Sequence, residues 1–506
     1  MEPSTVHPRA SVSMGLVIAA GAIGLPACSG ATFTPDGAES TASVPAALSA
    51  DVCGERHVSA ASGADLERDG TPNDCRSRRR PCRTAQHGVD VACSGDVVRL
   101  GAGDYAENLT IDRSLTLTGS GRRTIVRPAV SNPRPCDDSS LCGGAASNIV
   151  LVQANDVTIH DLALDGNNRE LTSGVVQAGA DVDARNGIIT NHLVGRFDAL
   201  QVYDVDVRNI FLRGIYASSG GTFDFHDNEL HNVAGDLQSI AIFNFGGSGL
   251  IANNRVDQCA DAIVSNHSTG VMMLRNRVTR SGSGLHTDNA GDTAGSSADL
   301  IAENEVQDCT AGGFGVWAFV PFVAPTLRDN RVEGCSVGLA AFGQGASVTT
   351  SFIDNRVDGD TRAGSTGVLV TTDQLGFGSN NVSVALSGNV IVHTEVGIQL
   401  TEQTGFVNST AIDCNRIEHN GTGIVTETSH SRAHDDAIVH NRIGVDASTL
   451  LGPPFDATGN YWGCRAGPPD PRCDGVRGNV DASSPLGRPP SCARGRSGEA
   501  FAATDL

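Results

Sequence analysis

The sequence predicts an all-β fold, a right-handed parallel β-helix solenoid of roughly 13 coils with an N-terminal cap. Three observations predict it. The phrase Asn–any–apolar recurs at Asn228, Asn254, Asn276, Asn304, Asn330, Asn355, Asn389, Asn415, Asn441 and Asn460. Its mean period is about 26 residues, inside the range of stacked repeat arrays. Each copy is followed by a second short apolar stretch, usually opened by glycine: Gly284-Leu285, Gly338-Leu339, Gly367-Val368, Gly397-Ile398, Gly423-Ile424. Aromatic residues are only 4% of the chain and glycine is 60 of 506 residues, which suits many turns and few bulky packing centres.

The geometry of one copy follows from its apolar sites. Two residues after the asparagine stand Val256, Val278, Val306 or Val332; three before it stand Ile251, Met273, Ile301 or Leu327. Residues on one face of a flat strand are an even number apart. These sites are five apart, so the chain must bend at or near the asparagine to turn both inward. Asparagine tolerates the left-handed conformation such a bend needs. Its amide can also bond the next copy. At a strand spacing of about 4.8 Å the rod is on the order of 60 Å long.

Residues 1–28 have the form of a targeting segment: Arg9, a short apolar run from Gly15 to Leu25, then Leu25-Pro26-Ala27-Cys28. The last four resemble a bacterial lipoprotein cleavage box, which implies lipidation at Cys28; the alternative is an ordinary secretory signal cut nearby. Residues 29–56, rich in Ala, Ser, Thr, Pro and Gly, form an expected flexible tether. Residues 57–127 are expected to hold the cap and first coils, with a short helix from Thr84 to Ala92 as a lid over the open end. The solenoid proper is expected over 128–487, with insertions near 127–148 and 167–193, and a loose tail over 488–506. The basic run Arg76-Ser77-Arg78-Arg79-Arg80 is expected to be a solvated loop. A formal net charge of −21 argues against nucleic acid as a partner.

The repeats, the asparagine row, the opening His57-Val58-Ser59 and Gly101-Ala102-Gly103-Asp104-Tyr105, and the closing Asn460-Tyr461-Trp462-Gly463-Cys464 resemble right-handed parallel β-helix proteins of bacterial surfaces, which share their fold with pectin lyases. The resemblance spans about 57–487. It implies a place in the cell envelope, as an outer-membrane lipoprotein or extracellular protein, and a polysaccharide or cell-surface glycan as partner. It does not select an activity, because this fold carries lyases, hydrolases, epimerases and inert surface proteins.

The chain has 14 cysteines. With Cys28 lipidated, 13 remain, which leaves one thiol over. Cys136 and Cys142 can close a short loop, and Cys464 and Cys473 another. Cys259, Cys309 and Cys335 each fall five residues after their asparagine. Cys309 and Cys335 lie in successive copies, so they stack within reach of a disulfide or remain a pair of buried thiols. Pairing among Cys53, Cys75, Cys82 and Cys93 is open.

The candidate site is on the second stretch of each copy. If Ile263, Leu285, Phe314, Leu339, Val368, Ile398 and Ile424 point inward, alternation sends Asn266, His286, Asp288, Trp317, Phe342, Thr371, Thr401 and Glu427 outward, with His267 adjoining. His286 and Asp288 are the candidate catalytic acid and base. Asn266, His267, Trp317 and Glu427 are the candidate sugar contacts, the tryptophan as a stacking plate. The alternative is a solvent-facing polar strand. No cofactor is expected: calcium would need clustered acids, and Asp288 has none in adjoining copies. The leading expectation is polysaccharide binding; the others are a lyase, hydrolase or epimerase, and a structural rod.

Overall fold

A computed structural model describes residues 53–218, 220–268, 270–289, 298–468 and 470–494. The targeting segment with Cys28, and nearly all of the tether, lie outside the described residues. The chain is a right-handed parallel β-helix. One sheet stacks 14 parallel strands, from Leu109–Ile111 through Asp261–Ser268, Ser283–Asn289 and Phe314–Ala318 to Val476–Gly478. The other two faces share 27 strands. They join because Val157–Asp165 and Leu200–Ile210 each run across a corner and pair on both sides of it. Helix Ala85–Asp90 covers the N-terminal end, with Thr84 capping it through a bond from the His87 amide. It buries Ala85, Gly88 and Val89, so the expected lid is present and slightly shorter than Thr84–Ala92.

The core is a set of apolar columns. Ile263, Leu285, Val316, Leu339, Val368, Ile398 and Ile424 stack in register and are buried. Val316 replaces the expected Phe314. The turn after Cys309 is longer, so the inward residue falls 12 positions after Asn304, against 9 after Asn276 and Asn330. Glycine opens these strands because coils approach closely there. A Cβ on Gly338 would lie 2.6 Å from the Gly367 carbonyl oxygen and 2.3 Å from a Val357 methyl.

The asparagines form a buried ladder. In each step the backbone N–H and Nδ2 of one rung both donate to Oδ1 of the next: Asn304 to Asn330 at 3.1 and 3.0 Å, Asn330 to Asn355 at 3.0 and 2.9 Å. Nδ2 also donates to a strand carbonyl of the preceding coil, as Asn330 does to Ile301 at 2.9 Å. The left-handed bend is made by the residue before the rung, not by the asparagine itself: Asp227, Glu303, Asp329 and Asp354 have φ of 54–58°. Asn441 is not a rung of this row. Asn415 is followed by Asp436, which receives both of its bonds, and then by Asn460. Asn441 belongs to a second, shorter row with Asn420 and Asp474.

Five disulfides are formed: Cys75–Cys82, Cys136–Cys142, Cys309–Cys335, Cys414–Cys492 and Cys464–Cys473. Cys309 and Cys335 are bridged across successive coils with Cα atoms 4.6 Å apart, while Cys259 is a buried thiol. Two expected boundaries shift. The first strand, Glu55–Val58, takes two residues from the tether, because Arg56 is buried against Asp96 at 2.8 Å. The tail is held as far as residue 494 by Cys492 and a short 3₁₀ turn, Ser491–Arg494. Arg76, Arg78 and Arg80 of the basic run pair with Asp74, Glu55 and Glu67, as suits a hydrated loop.

Candidate active site

Past the inward column the next side chain does turn outward, as Trp317 does after Val316, but the outer face is not uniformly wet. Leu141, from the insertion before the second strand, packs with Tyr216, Phe243 and Val264. Further along, Phe314, Trp317, Ala340 and Phe342 form a second outer cluster with Phe319 and Leu375 against it. Trp317 is therefore only 7% exposed, and its Nε1 donates to Ser283 Oγ at 3.1 Å. It is packing material, which corrects its assignment as an open sugar-stacking plate. Phe342 and Thr371 of the same expected row are buried as well.

The shift of register around Phe314 decides which residues meet. His286 pairs with Trp317, and Asn266 with Asp288. The His286 and Trp317 ring centroids are 3.9 Å apart. His286 is 8% exposed and its Nδ1 has no hydrogen-bond partner. Burial holds its imidazole at about 3, so it stays neutral across the physiological range. That makes it a poor proton acceptor and a correspondingly poor catalytic base.

Asp288 is different. It is half-buried, and burial together with the nearby Asp299 carboxylate pushes it up to about 7. Asp299 is fully buried. It accepts from Thr287 Oγ1 and from the Val271 amide, the latter at 2.9 Å, and burial raises it to about 6. Asn289, next in the strand, is locked by bonds from the Phe322 and Val323 amides at 2.7 and 2.9 Å. Asn266 presents a buried Oδ1 without a partner beside Asp288. His267 is exposed, with φ of 51° and its ring 4.9 Å from Phe245.

The structure thus brings Asn266, His267, His286 and Asp288 onto neighbouring coils. It leaves Glu427 apart: Glu427 is exposed, but follows Thr422–Thr426, five coils further along. The acidic partner that sequence reasoning missed is Asp299. It lies 11 residues beyond Asp288 and outside the second-stretch pattern, so no repeat position marks it. The other histidine-rich stretch is taken up locally: His430 pairs with Glu402 at 3.0 Å and His434 with Asp456 at 2.9 Å. The site can hold a proton near neutrality at Asp288 and offer Asn266 to a hydroxyl group.

Residues 186–361 match the family model described as a right handed beta helix region. Those residues thus form a right-handed β-helix region. Among curated proteins none matches its sequence. Solved structures with a similar fold include the A-module of mannuronan C-5 epimerase AlgE6 from Azotobacter vinelandii, at 17% identity and TM-score 0.47, over 73% of this chain and 94% of that one. An alginate lyase from Paenibacillus sp. str. FPU-7 is 13% identical with TM-score 0.38, over 59% and 95%. A polygalacturonase from Erwinia carotovora is 12% identical with TM-score 0.39, over 86% and 99%. These are likenesses of fold.

Proposed function

We propose that the protein is an exported carbohydrate-active enzyme, a lyase, hydrolase or epimerase, that works on a polysaccharide at the outer face of the 14-stranded sheet, with Asp288 moving the proton. The observation that carries this reading is the carboxyl pair: Asp288, half-buried beside the unpartnered Asn266 oxygen, is backed by the buried and anchored Asp299. A carboxyl group titrating near neutrality can give a proton to a glycosidic oxygen or take one from a carbon beside a uronate carboxyl. Binding without catalysis, the leading expectation from sequence, loses its main support with Trp317 inside the outer cluster. Five disulfides support an oxidising compartment. An anchor at Cys28 in the outer membrane is part of the proposal, and Cys28→Ser is expected to move the protein from the membrane fraction to the medium.

The catalytic reading is tested by incubating the purified protein with a panel of polyuronates and neutral glycans. New reducing ends, unsaturated ends or epimerised residues are expected on at least one substrate. Asp288→Asn is expected to lower that rate by about 10²–10⁴-fold, and His286→Gln by much less. No product across the panel, or a wild-type rate from Asp288→Asn, would end it.

A further inference from the structure

Counting four residues on from each rung of the asparagine ladder gives Asn232, Gln258, Arg280, Asp308, Gly334 and Gly359, then His393, His419 and His440 on three consecutive coils. The protein has only 14 histidines. The three sit on one corner of the rod, with φ of 54°, 56° and 58°. The strands before them, Val390–Val392, Arg416–Glu418 and Ala437–Val439, are in register, Val392 with Glu418 and Glu418 with Val439. Coil stacking therefore sets the spacing of the imidazoles. His419 and His440 stack with centroids 4.9 Å apart and planes within 19°; His393 lies 6.0 Å from His419.

Glu418, His419 and His440 each bring a donor atom within 4.8 Å of the others. Glu418 is buried and held by Arg416 at 2.6 Å, so it is a fixed carboxylate under two exposed rings. His393 donates from Nδ1 to Asp358 at 3.0 Å. A carboxylate on one ring nitrogen is the arrangement that leaves the other nitrogen oriented to ligate.

We propose that Glu418, His419 and His440, with His393 alongside, bind a divalent transition-metal ion. Imidazole nitrogen with carboxylate oxygen suits zinc, copper or nickel and not calcium or magnesium. Tetrahedral zinc with bonds of about 2.0–2.1 Å needs donors roughly 3.4 Å apart. The donor atoms lie within 4.8 Å of one another, so an ion would draw them together. The ion would clasp consecutive coils in the last third of the rod. The site is on a different face from Asp288 and stands independently of the catalytic reading.

The test is calorimetric titration of the chelator-treated full-length protein with zinc chloride alone. One equivalent is expected to bind in the micromolar range and to raise the melting temperature. His419→Ala and His440→Ala should each weaken binding at least tenfold, and His393→Gln by a few-fold. A variant that melts early without metal is replaced by the corresponding Gln substitution. No binding up to millimolar zinc overturns the proposal. So does unchanged binding in the His419→Ala/His440→Ala double variant, which would put the ion on other donors, such as Cys53, Cys93 and Asp96.

Discussion

Asp436 shows how much one atom decides. Every other rung of the main ladder is an asparagine whose Nδ2 donates to a strand carbonyl three residues before the preceding rung; Asn415 bonds Leu386 and Asn460 bonds Ala433. At Asp436 the equivalent atom is Oδ2, fully buried and without a partner. Burial raises its carboxyl well above the usual range. A protonated Asp436 has an O–H at the atom where the other rungs have an N–H. The folded state then holds a proton that the unfolded chain releases above about pH 3.9. This contribution to stability is complete below that pH and is lost as pH rises through the raised folded value. Asp436→Asn supplies the N–H at any pH. It is expected to stabilise by about 1–3 kcal/mol at pH 8 and by little at pH 4, measured by denaturant unfolding at both. Equal effects at the two pH values would remove the neutral-acid explanation. Trp317→Ala should act on the same observable: loss of a buried aromatic costs about 3–5 kcal/mol, so a glycan-specific defect without loss of stability is not expected.

At the scale of the coil, the ladder couples neighbours through bonds that no single strand can make alone. Asn330 makes contacts in both directions along the rod: its Oδ1 accepts two bonds, and its own N–H and Nδ2 donate three. Asn330→Ala leaves the Asn304 amide groups facing an apolar side chain. A loss of about 2–4 kcal/mol is expected from the orphaned buried donors, read as a lower unfolding midpoint, whereas Arg331→Ala, at an exposed side chain paired with Glu333, should change it by less than about 1 kcal/mol. The same coils show what sequence patterning carries. Apolar sites five apart announced the corner, and Cys309 and Cys335 at matching positions put two thiols within reach of a bridge, because both depend only on counting. Phe314 stands two residues before the inward Val316 because the turn before it is longer, and turn length is not marked by hydrophobic pattern. Trp317 turns outward yet is buried, because alternation gives the face and says nothing of what covers it. Asp436 is not legible as a rung beside Asn441, since the repeat phrase is written with asparagine and only the fold shows an aspartate oxygen accepting the same two bonds. Asp299 had no repeat position to mark it.

The whole rod must close two ends, and its cysteines are arranged for that. Cys414–Cys492 ties the last described segment back to a coil 78 residues earlier. A loop of that length is worth about 4–5 kcal/mol in chain entropy. At the other end Cys53 and Cys93 lie together beside Asp96, whose carboxylate accepts from the Cys93 amide and the Arg56 guanidinium at 2.8 Å each. A bridge there would pin the exposed start of the first strand to the residues just after the lid helix. It would also resolve the odd count. If Cys28 carries the proposed lipid and a sixth bridge forms, Cys259 is the single thiol left, buried and pushed up to about 12, hence inert. Alkylation of the protein purified without reductant, read by peptide mass, is expected to label no cysteine in the native state and Cys259 alone after denaturation. Labelling of Cys53 and Cys93 in the native protein would show that the first strand is held by Asp96 and Arg56 without a covalent clasp.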